Sequence, residues 1–324
     1  MHRRRDRQQN NENTNKIKKA MKLYKPTDAT TNPSLVLKAL DKLKSDEAKT
    51  NAEYDKILNV ACDYAKEKCN KKDSDELLGL ALDRIAVEFG LRIMQLIPGN
   101  ISTELDARLS FDPKQSVQRA ERIIAMYEEL GVKDAKERVL IKVASTWEGF
   151  QVCKQLKTKG IRCNMTLLFS IWQAAAAAQI GGAYLISPFV GRITDWYKKE
   201  KGVSGFAIKD DPGPKSVEAI YKYYKKFGFK TIVMGASFRN KEQIVALAGC
   251  DRLTIAPQFL KELQDSHDSL PRKLDPETAK DCEFQKELDV TEKDAMATEK
   301  LAEGIRLFAA DTIKLENILK TKLA

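Results

Sequence analysis

Lys142 stands in the run R-V-L-I-K-V-A-S, an amine flanked by Leu140, Ile141, Val143 and Ala144. Among such neighbours an amine loses part of its hydration, which favours the neutral form that adds to a carbonyl. The alternative is a lysine at a strand end whose alkyl stem carries its charge out to solvent. Two features decide for chemistry. With period-two alternation Leu140, Lys142 and Ala144 share one strand face, and the polar pair Ser145-Thr146 follows at the C-terminal end, where α/β proteins gather their sites. Polar side chains recur in other apolar runs: Glu104 follows Ser102-Thr103, while Asn164 and Thr166 sit two apart in R-C-N-M-T-L-L-F and so share a face. Buried strands seldom carry such groups, and several of them around one lysine point to a catalytic centre. Arg192 in S-P-F-V-G-R and Arg239 in M-G-A-S-F-R-N each follow a Ser and a Gly. In a tight segment, backbone N–H groups and a guanidinium can together grip a phosphate.

Other chemistries have less support. Only His2 and His267 are present, and neither lies at metal-ligand spacing from Cys or carboxylates, so histidine triads and metal sites are not expected. The six cysteines form no C-x-x-C pair, and Cys153, Cys163 and Cys250 lie in or beside apolar segments, which fits a reducing, cytoplasmic setting. No Walker A or G-x-G-x-x-G sequence occurs, leaving nucleotide cofactors without support. The net charge is +10, of which residues 1–25, with nine Lys or Arg and two acids, carry +7. Arg3, Arg4, Arg5 and Arg7 have no interleaved aromatics, so a solvated arm is expected and no nucleic-acid partner. No apolar run reaches eighteen residues, and no membrane partner is expected.

Elements that could position these residues alternate along the chain. Strands are predicted at Thr27–Thr31, Asn100–Leu105, Arg138–Ala144, Arg162–Phe169, Ala183–Val190, Lys230–Ala236 and Arg252–Ala256. Between them run amphipathic stretches such as Gln115–Leu130, opened by Pro113 and closed by Gly131, and Lys215–Phe227. The strands are nearly continuous apolar runs, as in a parallel sheet covered on both faces. Lys293–Leu323 reads as a terminal helix. A closed α/β barrel needs eight strands. The eighth should precede Ile17, where residues 1–16, MHRRRDRQQNNENTNK, hold no aliphatic side chain but Met1 and read as a disordered basic tail. The expectation is one catalytic domain over residues 17–324, a (β/α)8 TIM barrel whose first strand is in doubt.

Five segments now bear on function: D-A-T-T-N-P-S-L (Asp28–Leu35), I-K-V-A-S-T-W-E-G (Ile141–Gly149), C-N-M-T-L-L-F-S (Cys163–Ser170), S-P-F-V-G-R (Ser187–Arg192) and M-G-A-S-F-R (Met234–Arg239). In composition and order the set resembles the transaldolases, from about Leu23 onward. The resemblance implies transfer of a dihydroxyacetone unit between sedoheptulose 7-phosphate and glyceraldehyde 3-phosphate, giving erythrose 4-phosphate and fructose 6-phosphate. It places this step in the non-oxidative pentose phosphate pathway and requires neither metal nor organic cofactor. It also implies roles: Lys142 as the Schiff-base lysine, and Glu104 with Thr166 as the pair handling a catalytic water and its protons. Asn32, Asn164 and Ser187 would hold the dihydroxyacetone unit, Thr30 would also bind substrate, and Arg192, Ser237 and Arg239 would take the phosphate. Phe189 would shape the pocket near the water, which argues against a fructose 6-phosphate aldolase that releases dihydroxyacetone to water. Phosphorylated sugars are the implied partners. Many members of the family are homodimers, so a second copy is a candidate partner, although no segment here marks an interface.

The N-terminus departs from that pattern. The family's apolar first strand ends in V-A-D-T-G-D, whose first Asp acts as general base during cleavage. Here the stretch reads N-E-N-T-N-K, and with one inserted residue before Met21, Asn13 falls where that Asp belongs. An amide cannot take the proton as a carboxylate does, and loss of a general base costs ~10²–10⁴ in rate. Three readings stay open: a gene-model error replacing the first strand, an impaired enzyme, or a pseudoenzyme that still binds sugar phosphates. The abruptness of the change favours the first.

Overall fold

A strand that is apolar on both faces must be covered on both, and helices returning between parallel strands provide that cover. The computed structural model describes residues 23–45, 50–69, 75–286 and 294–323. Among them are seven strands alternating with helices, and every recorded pairing is parallel, which makes the chain an α/β protein. The strands are β1 (Ala29–Thr30), β2 (Ile101–Glu104), β3 (Val139–Ala144), β4 (Cys163–Leu168), β5 (Leu185–Pro188), β6 (Ile232–Gly235) and β7 (Arg252–Leu253). Each lies inside a predicted strand, trimmed where hydrogen-bonded pairing stops. The tail and the strand expected before Ile17 lie outside the described residues.

Two compact units divide the chain. The first comprises the described residues within Met1–Asp106, Arg119–Leu140 and Phe308–Ala324. In it β1 runs beside β2, with Ala29 opposite Ile101 and Thr30 opposite Ser102. Helix α1 (Pro33–Ser45) starts at Asn32, whose Oδ1 accepts the Leu35 N–H at 2.8 Å. Helices α2 (Thr50–Lys68) and α3 (Asp75–Met94) pack on each other. Helix α4 (Pro113–Glu129) has Pro113 at its start, and its C-terminal turn is closed by Gly131 at φ 87°, with Val132 N donating to Tyr127 O. The buried Tyr127 hydroxyl lies 2.7 Å from Thr103 Oγ1 on β2. Asp83 of α3 is buried between two arginines of α4: Arg119 Nε donates to its Oδ1 at 2.6 Å, and Arg122 donates to its Oδ2. Arg119 also reaches Asp106, just past β2, at 3.2 Å. The two guanidiniums meet the buried carboxylate and offset the cost of taking it out of water.

The second unit comprises Ala107–Gln118 and Ile141–Leu307. Its strands pair in sequence order, β3 to β7. Helix α5 (Trp147–Thr158) is capped by Thr146, whose Oγ1 accepts Gly149 N at 2.9 Å, and α6 (Ile171–Ala176) by a Ser170–Gln173 capping box. Helix α7 (Val190–Lys201) ends at Gly202, φ 63°, and α8 (Pro212–Lys226) begins at Asp211, whose Oδ1 accepts Gly213 N. This start lies upstream of the predicted Lys215, because Asp211 caps the helix and Pro212 is pre-set for its first turn. Helices α9 (Lys241–Val245) and α10 (Pro257–Gln264) follow. The long C-terminal helix α11 (Ala295–Leu323) follows the predicted span closely.

Gly90 of α3 makes room for Tyr127: a Cβ at this position would lie 1.8 Å from Tyr127 Oη. Helix propensity alone favours alanine by about 1 kcal/mol. The clash reverses that sign, and Gly90→Ala is expected to lose about 1–3 kcal/mol in urea unfolding. Tyr127→Phe in the same background should show favourable coupling, and additive losses would refute the steric account.

Candidate active site

The parallel register sets Lys142 beside Asn164 and Ala144 beside Thr166, so these four share one face of the β3–β4 pair. Lys142 is 4% exposed, and Asn164 and Thr166 are fully buried. Ser187 on β5 joins them, its Oγ donating to Asn164 Oδ1 at 2.8 Å. The buried Thr166 Oγ1 has no hydrogen-bond partner among the described residues. Immediately after it, Leu167 takes φ 52° and the β4–β5 register shifts between Met165 and Leu168. Such breaks re-aim strand side chains and recur beside active sites.

A second cluster follows β5 and β6. Phe189 bridges to Ala236 and packs edge-on against Phe169 with centroids 5.8 Å apart, while the Arg192 guanidinium lies 5.1 Å from the Phe189 ring centroid. The two segments are tied together by backbone: Val190 N donates to Ala236 O, and Gly191 N to Ser237 O. Ser237 adopts φ 61°, in the left-handed region that costs an L residue energy. Only glycine fits at 191, where a Cβ would meet Ser237 O at 2.4 Å and Arg239 Cγ at 2.7 Å. Arg239 donates through Nη1 to Ser237 O at 3.1 Å and pairs with Asp195 of α7. Its backbone N–H is accepted by Gln243 Oε1 at 2.8 Å. Gln243, wholly buried, donates Nε2 to Thr194 Oγ1 and Asp211 Oδ2.

The remaining predicted residues belong to the first unit. Thr30 sits on β1, and Asn32 and Glu104 line one cleft there together with Asp83, Asp106 and Arg119. Asn32 Oδ1 is engaged as the α1 cap. Asp28, in the same motif, accepts Asn100 N at 2.5 Å and so ties the chain before β1 to the chain before β2.

Thiols offer a poor alternative nucleophile. A hydrogen bond with Cys153 and burial push Cys163 well above the usual thiol range, and burial pushes Cys250 up to about 11. Thiolate is the reactive form, so both are held inert near neutral pH. Among the described residues no group of His, Cys, Asp and Glu could hold a metal ion. No helix among the described residues is long and apolar enough to cross a membrane.

Sequence reasoning missed Asp195, Gln243 and Gly191. Asp195 is an ordinary polar residue of an amphipathic helix until the fold brings Arg239, 44 positions away, onto it. Gly191 left a faint signal as the glycine before Arg192.

Comparison with known proteins assigns the chain to a family. Residues 11–319 match the family described as Transaldolase/Fructose-6-phosphate aldolase, and the chain belongs to that family. The match reaches further towards the N-terminus than the five motifs and includes Asn13. A protein of Protochlamydia amoebophila named Transaldolase is 52% identical over 310 residues, covering 93% of this chain and 91% of that protein. Another, from Actinobacillus succinogenes and also named Transaldolase, is 51% identical over 312 residues, covering 94% and 93%. Membership gives the α/β strands the context of a TIM-barrel-type fold. A crystal structure of the Xanthomonas citri FimX EAL domain with c-diGMP overlays at a TM-score of only 0.38 and 11% identity, over 64% of this chain and 71% of that one.

Replacing Gln243 by Leu would leave the Asp211 carboxylate and the Arg239 N–H each short of a partner. Buried polar groups abandoned in this way cost about 1–3 kcal/mol, so Gln243→Leu should lower the calorimetric Tm by several degrees. An unchanged Tm would mean that water replaces the amide at no cost.

Proposed function

We propose that this protein is a transaldolase, transferring a dihydroxyacetone unit from sedoheptulose 7-phosphate to glyceraldehyde 3-phosphate to give erythrose 4-phosphate and fructose 6-phosphate in the pentose phosphate pathway. The reading is carried by Lys142, an amine buried in β3 beside Asn164, with the Thr166 hydroxyl on the same face. Family membership and two relatives named Transaldolase support it.

In this reading the Lys142 amine adds to the ketose C2 carbonyl, and loss of water leaves an iminium. The iminium withdraws the electron pair of the C3–C4 bond as the C4 hydroxyl loses its proton, releasing the aldose phosphate. The carbanion equivalent left on Lys142 adds to the acceptor aldehyde, and water returns to free the new ketose. Dehydration and hydrolysis need a proton shuttle, and Glu104 with the Thr166 hydroxyl would position that water. Asn164, hydrogen-bonded to Ser187, would bind the hydroxyls of the dihydroxyacetone unit with Thr30 and Asn32. Phe189 would wall off solvent, because a carbanion exposed to water is protonated before the acceptor arrives. Arg192, Ser237 and Arg239 would take the phosphate. No step requires a cofactor.

We further propose that residues 17–324 act as one catalytic domain in the cytoplasm and that the chain forms homodimers. Cys62, Cys153, Cys163, Cys250 and Cys282 are in no disulfide, which suits a reducing compartment. Assembly is open to sedimentation.

The test is borohydride reduction with fructose 6-phosphate followed by intact mass, alongside turnover with erythrose 4-phosphate as acceptor. The expected result is a reduced adduct on Lys142, absent from Lys142→Met, together with turnover. An adduct elsewhere, or none, refutes the assignment of Lys142. A separate comparison addresses the N-terminus: if Asn13 occupies the general-base position, Asn13→Asp should raise kcat by ~10²–10⁴. An unchanged kcat would show that another group takes the proton.

A further inference from the structure

We propose that Asp195 is a positioning residue for Arg239 and thereby sets how tightly phosphorylated substrates are held. The inference rests on the reading of Arg239 as a phosphate ligand and adds the residue that aims it. Asp195 lies on α7, three positions after Arg192. Its Oδ2 accepts from Arg239 Nε at 3.0 Å and from Nη2 at 2.7 Å. The third nitrogen, Nη1, donates to Ser237 O at 3.1 Å and lies 3.3 Å from Ser237 Oγ. At the other end of the residue the Arg239 N–H is fixed on Gln243, itself anchored by Thr194 and Asp211. Arg239 is therefore clamped at both ends. A guanidinium is a rigid planar fork, so occupying its Nε–Nη2 edge determines where its Nη1–Nη2 edge points, and that edge can meet two phosphate oxygens.

Asp195 also carries a negative charge, which repels a phosphate. The two effects predict opposite signs, and exposure decides between them. Both side chains of the pair are 42% exposed, so water and salt screen the repulsion. Orientation acts through direct hydrogen bonds and is not screened in the same way. Positioning wins.

The experiment measures KM for fructose 6-phosphate and inhibition by inorganic phosphate in Asp195→Ala, Asp195→Asn and Arg239→Ala. It also measures borohydride trapping of Lys142 by unphosphorylated dihydroxyacetone. Asp195→Ala should raise KM and the phosphate inhibition constant about two- to fivefold, the range open to a partly exposed ion pair. Its kcat and its trapping by dihydroxyacetone should stay at the wild-type level. Asp195→Asn, which keeps an acceptor oxygen, should recover much of the loss. A lower KM in Asp195→Ala would show that repulsion dominates and overturn the proposal. Equal losses with phosphorylated and unphosphorylated donors would overturn it too, by showing a general disturbance of the fold. If Arg239→Ala weakens phosphate inhibition while Asp195→Ala does not, the role of Asp195 falls and the phosphate site stands. If Arg239→Ala leaves phosphate inhibition intact, the phosphate-site reading falls as well.

Discussion

A polar side chain on the covered face of a parallel strand must find a partner or carry a cost, and the site in this protein is built around that constraint. Lys142, Asn164, Thr166 and Ser187 occupy β3, β4 and β5 where apolar residues would pack more cheaply. Register brings Lys142 beside Asn164, and the Ser187 hydroxyl meets the Asn164 carbonyl. Around them the fold is ordinary, with β3 and β4 otherwise made of Leu, Ile, Val, Ala, Met and Cys. That contrast between inert walls and a few placed polar groups sets one buried amine apart, while burial keeps the Cys163 and Cys250 thiols protonated near neutral pH.

The segments that follow β5 and β6 use a different device. Residues 189–192 and 236–239 are fastened backbone to backbone, and the fastening needs a glycine at 191 and a left-handed serine at 237. Strain of this kind persists only when the surroundings over-determine it. Here the surroundings are the Gln243–Thr194–Asp211 cluster beneath Arg239 and the Asp195 carboxylate beside it. The cost of the strained serine is offset by hydrogen bonds that the sequence distributes over fifty residues, from Thr194 to Gln243.

Strands and most helices were legible because their signals are local. The apolar run around Lys142, the pair Asn164 and Thr166 at period two, and the Pro113–Gly131 punctuation all depend on neighbours in the chain. Helix starts were read less well: α8 begins at Pro212 because of the Asp211 cap, a choice settled by Thr194 and Gln243 packing on that carboxylate. Pairings between distant positions left no local mark. Asp195 with Arg239, Asp83 with Arg119 and Arg122, and Gly90 with Tyr127 are products of the fold and cannot be read from spacing. Asp28 is instructive in this respect, since its motif suggested chemistry while its carboxylate accepts the Asn100 N–H.

The Thr166 hydroxyl, which meets no hydrogen-bonding partner among the described residues, has an evolutionary reading. A buried hydroxyl without a partner costs about 1–3 kcal/mol, and valine would fill nearly the same space without that penalty. Selection for folding alone would therefore drive this position towards a hydrocarbon. A thermostability campaign blind to chemistry would find that exchange early and, if the hydroxyl serves the reaction, would trade activity for robustness at a single atom.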